Sequence, residues 1–138
     1  MRLLFLSLLV ATAIGVLVRL RDGRFRTVNP TEVSPLASFA SGEHATFVQF
    51  SSQTCSTCPR SLALLRDVAD QVDDVDVVEL SAENHMDLVQ VLDVRRSPTV
   101  FLLDAHGAVH ARTSGAMHAD HARAAIAELV ERKPHVRT

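Results

Sequence analysis

An apolar run opens the chain, and shorter apolar blocks then alternate with amphipathic ones. Leu3 to Val18 carries no charge, and Leu20 extends the run past Arg19. As a helix, Leu3 to Leu20 spans about 27 Å, against a hydrocarbon core of ~30 Å, and Arg19 can snorkel to the headgroups. The pattern therefore predicts one N-terminal transmembrane helix over residues 1–20. A cleaved signal peptide is the competing reading, with Arg2 as its basic start and Ala11-Thr12-Ala13 as a small-x-small cleavage site. The uncleaved anchor is preferred because the apolar run continues past that site.

Residues 21–42 read as a connector marked by Gly23, Pro30, Pro35 and Gly42, with one or two helical turns within Thr31 to Ala40. The body, residues 43–132, then alternates in period. Thr46 to Phe50 is a strand candidate. Pro59 to Val72 is amphipathic, with Leu62, Leu65, Val68, Ala69 and Val72 on one helical face. Val75 to Leu80 is a second strand, Met86 to Leu92 a short helix, and Thr99 to Leu103 a third, almost wholly apolar strand. Asp104-Ala105-His106-Gly107 forms a turn, and Val109 to Thr113 returns with strict alternation, which is a hairpin. His118 to Arg132 is a last helix with an apolar stripe of Ala122, Ala125, Ile126, Leu129 and Val130; Lys133-Pro134 stops it. Residues 133–138 are a tail. The order strand, helix, strand, helix, strand, strand, helix predicts an α/β fold. Its first strands form a parallel βαβ unit, its sheet is mixed, and helices cover both faces.

Composition adds exclusions. The chain has 138 residues and a formal net charge of −2, with no Trp, no Tyr and six Phe. It offers neither the basic surplus nor the stacking rings that nucleic-acid binding requires, so no nucleic-acid partner is expected. Charge is unevenly placed. Residues 1–26 hold five arginines and one aspartate; the rest carries nine basic and fifteen acidic side chains. Arginines follow the apolar run more densely than they precede it. By the positive-inside bias this puts the body in the cytoplasm, with an extracytoplasmic body as the alternative.

Both cysteines lie in Cys55-Ser56-Thr57-Cys58, between the first strand and the first long helix. Residues i and i+3 at a helix opening face the same way, so the sulfurs can meet as a disulfide or a dithiol. Cys55 sits at the helix entrance, where unpaired N–H groups and the positive dipole end favour a thiolate. Cys55 is thus read as the nucleophile and Cys58, one turn in, as the resolving thiol. Pro59 suits the first helical turn, where its missing N–H costs no helix bond. Pro98, directly before an apolar strand, marks that strand's entry, and its peptide bond is trans by default.

Cys-x-x-Cys after a strand, a βαβ unit, Ser97-Pro98-Thr99 entering a strand, then a hairpin and Gly115, resembles the thioredoxin family. The likeness runs from about Val33 to Val130 and is nearest to the small membrane-anchored thioredoxin-like proteins, which carry one apolar N-terminal helix. The resemblance implies that Pro98 is cis and lies against the cysteine pair. It also implies that the Ser97 backbone pairs with an extended substrate segment, with Thr54 beside it. Three positions depart from the family pattern. Thr54 stands where thioredoxins carry Trp, Ser56-Thr57 replace Gly-Pro, and Gln49 replaces a buried acid that helps move protons at the resolving cysteine. A neutral amide cannot do that. Ser56 and Thr57 hydroxyls are expected to tune the site by donating to a Cys55 thiolate.

The expected activity is thiol–disulfide exchange between Cys55–Cys58 and protein disulfides, with a second thiol–disulfide protein as electron partner. No cofactor is needed, because the dithiol carries two electrons. Two other readings compete. One is a thiol-based copper chaperone, and the other is a redox-silent peptide-binding adaptor of the same fold. His118-x-x-His121, His106 and His110 are read as solvated, not as metal ligands, as are Asp70, Asp73, Asp74 and Asp76. Arg95-Arg96 beside Pro98 is read as a plain surface loop rather than a device that steers acidic substrates.

Overall fold

The computed structural model describes residues 1–21, 23–28 and 34–132. Its elements are α1 (Arg2–Arg21), β1 (Arg26–Thr27), a 3₁₀ turn (Ala37–Phe39), β2 (Ala45–Ser51), α2 (Cys58–Ala69), β3 (Val75–Ser81), α3 (Met86–Val91), β4 (Thr99–Asp104), β5 (Val109–Ser114) and α4 (Ala119–Arg132). The five strands form one sheet in the order β1-β5-β4-β2-β3. β2 and β3 run parallel through the α2 crossover, whereas β4 is antiparallel to both β2 and β5. The mixed sheet expected from the element order is therefore present.

Alternation along the strands divides the core in two, because successive side chains point to opposite faces. Ala45, Phe47, Val100 and Leu102 pack with Leu65 and Val68 of α2 and with Ala122, Ile126 and Leu129 of α4. Val48, Phe50, Phe101 and Leu103 face the other way, where Leu36, Val109 and the half-buried Leu88 and Val89 of α3 close over them. The β4–β5 turn rests on Asp104, whose Oδ1 accepts the N–H groups of His106 and Ala108, both at 2.9 Å. Gly107 completes it at φ 79°, and a Cβ there would run into Ala37.

Four expectations need adjustment. Among the described residues no helix is long and apolar enough to cross a membrane. The charge-free stretch Leu3–Val18 spans about 24 Å as a helix, under the ~30 Å of a hydrocarbon core, and Arg19 closes it. The single-pass anchor is thus not supported, and with it falls the assignment of the body to one side of a membrane. The segment read as a connector also supplies structure. β1 pairs with β5, Arg26 opposite Arg112, and Leu36 is fully buried. The helical turn expected within Thr31 to Ala40 is the 3₁₀ turn Ala37–Phe39; Thr31–Val33 and residues 133–138 lie outside the described residues. Finally, α2 ends at Ala69 rather than Val72, with Asp70 as its C-cap.

Candidate active site

The parallel strand β2 ends at Ser51, and the chain then turns into α2 through residues 52–57. The Cys55 N–H donates to the Ser52 carbonyl at 3.1 Å, so the first cysteine sits in a tight turn ahead of the helix. Thr57 is the N-cap, Cys58 opens α2, and Pro59 occupies its first turn as expected. Cys55 and Cys58 form a disulfide with their Cα atoms 5.5 Å apart. The two sulfurs differ in access. Cys58 is 2% exposed, whereas Cys55 is half-buried and borders solvent. The Thr57 hydroxyl lies 3.7 Å from the Cys55 sulfur; Ser56 and Thr54 are exposed.

Gln49 is fully buried behind the pair. Its Nε2 donates to the Cys58 carbonyl at 3.1 Å and to the Ser51 hydroxyl at 3.0 Å. The carbonyl can only accept, which fixes the amide orientation. The amide oxygen Oε1 then has no partner among the described residues. The position thus ties the end of β2 to the start of α2 by a neutral donor.

Pro98 enters β4 from the same end of the sheet. The β2–β4 register places Thr99 opposite Phe50, just ahead of the cysteine loop. The Ser97–Pro98 bond is cis, which agrees with the family resemblance and not with the default for an X–Pro bond. The Pro98 carbonyl accepts the Gly115 N–H at 2.9 Å, and the Thr99 hydroxyl lies 2.9 Å from that of Ser114. Pro98 is buried and Ser97 half-buried.

One residue of the site has no signal in the sequence. Glu83, after β3, accepts the Gln53 N–H at 3.0 Å and the Ser81 hydroxyl at 2.8 Å. The Gln53 N–H, foremost among its donors, holds the Glu83 carboxyl below the usual glutamate range. It braces the cysteine loop from the turn after β3, thirty positions along the chain. No local pattern announces such a contact.

The histidines stand apart from the cysteines in what they touch. His110 Nε2 is 3.2 Å from Asp104 Oδ2, and His118 packs edge-on against His121 with ring centroids 5.7 Å apart. Among the described residues no group of three or more His, Cys, Asp or Glu side chains is placed to hold a metal ion.

The comparisons with known proteins agree with this geometry. The thioredoxin family model matches residues 35–128, and the chain belongs to the thioredoxin family. A point-mutant thioredoxin from Halobacterium salinarum NRC-1 superposes with a TM-score of 0.59 at 20% identity, covering 70% of this chain and 82% of that one. Chloroplastic thioredoxin z superposes at 0.58 with 22% identity, covering 77% and 99%. A thioredoxin-like protein from Clostridium perfringens gives 0.55 at 22% identity, covering 72% and 81%. At these identities the structures share the fold. No curated protein matches the sequence. Family membership and the close Cys55–Cys58 pair together indicate a thiol–disulfide redox function.

Proposed function

We propose that the chain exchanges its Cys55–Cys58 dithiol for the disulfides of protein substrates. The carrying observation is the unequal access of the two sulfurs, Cys55 bordering solvent and Cys58 sealed beneath it. In the reduced protein the Cys55 thiolate attacks one sulfur of a substrate disulfide. The substrate S–S bond breaks, a mixed disulfide forms, and one substrate thiolate leaves. Cys58 then loses its proton and attacks the Cys55 sulfur. The mixed disulfide breaks, the second substrate thiolate leaves, and the Cys55–Cys58 disulfide remains. Two electrons pass to the substrate, whose thiolates take up protons. The reverse sequence oxidises a substrate dithiol.

Several features support this order. Cys55 precedes the N-terminus of a twelve-residue helix, where positive potential favours a thiolate. The Thr57 hydroxyl at 3.7 Å can turn its proton toward that thiolate. On this reading an extended substrate segment would lie along Thr54 on one side and along the Ser97 backbone and Pro98 on the other. Ser56, exposed between the cysteines, sets the site's polarity, and Gln49 fixes the Cys58 backbone.

Insulin reduction with dithiothreitol, using the full chain, tests the reading. Turnover is expected in the native protein, lost in Cys55→Ser and reduced in Cys58→Ser. Equal turnover in native protein and Cys55→Ser would contradict it.

A further inference from the structure

A cavity of about 620 Å³ lies away from the disulfide. It opens between the β1 segment, the loop from α3 to β4, and the end of β5. Arg24, Arg26, Arg95, Arg96 and Arg112 line it, and among the described residues of the lining Asp93 is the one carboxylate. This concentration sits in a chain whose net charge is −2. Asp93 Oδ1 accepts from Arg95 Nε at 2.8 Å, so the Asp93 carboxylate is set against the Arg95 guanidinium. Arg112 spends its donors on the Leu92 and Asp93 carbonyls, both at 2.7 Å, so its charge has no carboxylate set against it by those bonds. The guanidinium charges therefore add into one positive field, and clefts lined by one sign of charge concentrate ligands of the other.

The cavity adjoins the site. Arg96 directly precedes Ser97 and Pro98. Ser114, also in the lining, lies against Thr99, and its neighbour Gly115 bonds the Pro98 carbonyl. Arg96 and Ser114 thus place the cleft beside the entry to β4.

We propose that the cleft receives an acidic segment of the polypeptide whose disulfide is exchanged at Cys55, so that substrates with Asp or Glu beside the disulfide are preferred. This rests on the redox reading above. The chemistry favours a polypeptide. Arg24, Arg26, Arg95 and Arg96 are exposed and come from separate segments, which suits several carboxylates spaced along a chain rather than one enclosed ion. Guanidinium forks bind carboxylates in bidentate pairs. Among the described residues no aromatic side chain lines the cleft, so bases would find nothing there to stack on.

The experiment compares two disulfide-containing peptides on the full chain, one flanked by four glutamates and one by four glutamines. At low salt kcat/KM is expected to be about tenfold higher for the acidic peptide, a modest steering effect. The advantage should vanish in Arg24→Gln/Arg26→Gln/Arg95→Gln and shrink near 0.5 M salt, while turnover of the neutral peptide stays unchanged. Equal kcat/KM for both peptides, or a preference that survives the triple variant, overturns the proposal. Anisotropy with the acidic peptide, its cysteines replaced by serine, separates the two readings. If neither disulfide peptide turns over yet this one binds native protein more tightly than the triple variant, the redox reading fails and the cleft assignment holds. Equal binding to both overturns the cleft. Displacement by an equally charged oligothymidine as effective as by unlabelled peptide also overturns it.

Discussion

Gln49 Nε2 donates to the carbonyl of Cys58 at 3.1 Å, joining the end of β2 to the first residue of α2 through a buried neutral amide. Gln49→Glu keeps the shape and removes the donor. A carboxylate there would face the Cys58 carbonyl without a cation, and burial would raise its pKa. The expected cost at pH 7 is about 1–3 kcal/mol, the range for a buried polar group left unsatisfied. A raised folded-state pKa means the penalty grows as pH climbs above the ordinary glutamate value of about 4.3 and fades below it. Urea unfolding at pH 7 and pH 4 reads the difference. Equal stability loss at both pH values would show that the charge is not its source.

Glu83 braces the cysteine loop through the Gln53 N–H. Its carboxyl titrates below the ordinary glutamate value, chiefly because that N–H favours the charged form. The bond is therefore at full strength above about pH 4.3 and weakens as pH falls through the lower folded-state value. The Gln53 amide resonance should shift with an inflection below 4.3, and Glu83→Gln should abolish the inflection and speed amide exchange at Gln53. An unchanged titration of that amide in Glu83→Gln would remove Glu83 from the loop's support.

Asp104 is the corresponding brace of the β4–β5 turn. Burial pushes its carboxyl up, but the N–H groups of Ala108 and His106, with His110, outweigh burial and hold it below the usual aspartate range. A depressed folded-state pKa contributes stability above about pH 3.9, and that contribution is lost as pH falls through the folded value. Asp104→Asn should therefore be less stable than the native chain at pH 7, with the gap narrowing toward pH 3. Thermal melts across that range measure it.

Leu36 is fully buried over β4, packed with Phe101, Leu103 and Val109, although it lies in a segment that reads as a linker. Leu36→Ala should cost about 2–5 kcal/mol, as for other buried leucines. A change under about 0.5 kcal/mol would show that residues 34–40 are not part of the core.

Much of the fold is legible because its periods are clean. Phe47, Val48 and Phe50 announce a strand buried on both faces, and Leu62, Leu65 and Val68 announce the helix that covers one of them. Cys55 and Cys58 stand out by type and spacing, and Ser97-Pro98 by the strand that follows. β1 escapes notice because Arg26 and Thr27 carry no apolar pattern; they join the sheet by pairing with β5. Arg19 is the reason the N-terminal helix misleads, since the eye joins Leu20 to a run that its charge has ended. Gln49 is visible as a departure from the family, but its partner is a main-chain carbonyl, which every residue owns. The five arginines of the basic cleft come from three separate segments, and only the fold makes them neighbours.

The central claim is that one sulfur borders solvent and is activated while the other waits beneath it. The most direct test reduces the full chain and follows iodoacetamide labelling of each cysteine by mass spectrometry from pH 5 to 9. The account predicts rapid alkylation of Cys55, half-complete at a pH below the free-thiol value of about 8.5, and slow labelling of Cys58 throughout. Equally slow labelling of both at neutral pH would contradict it.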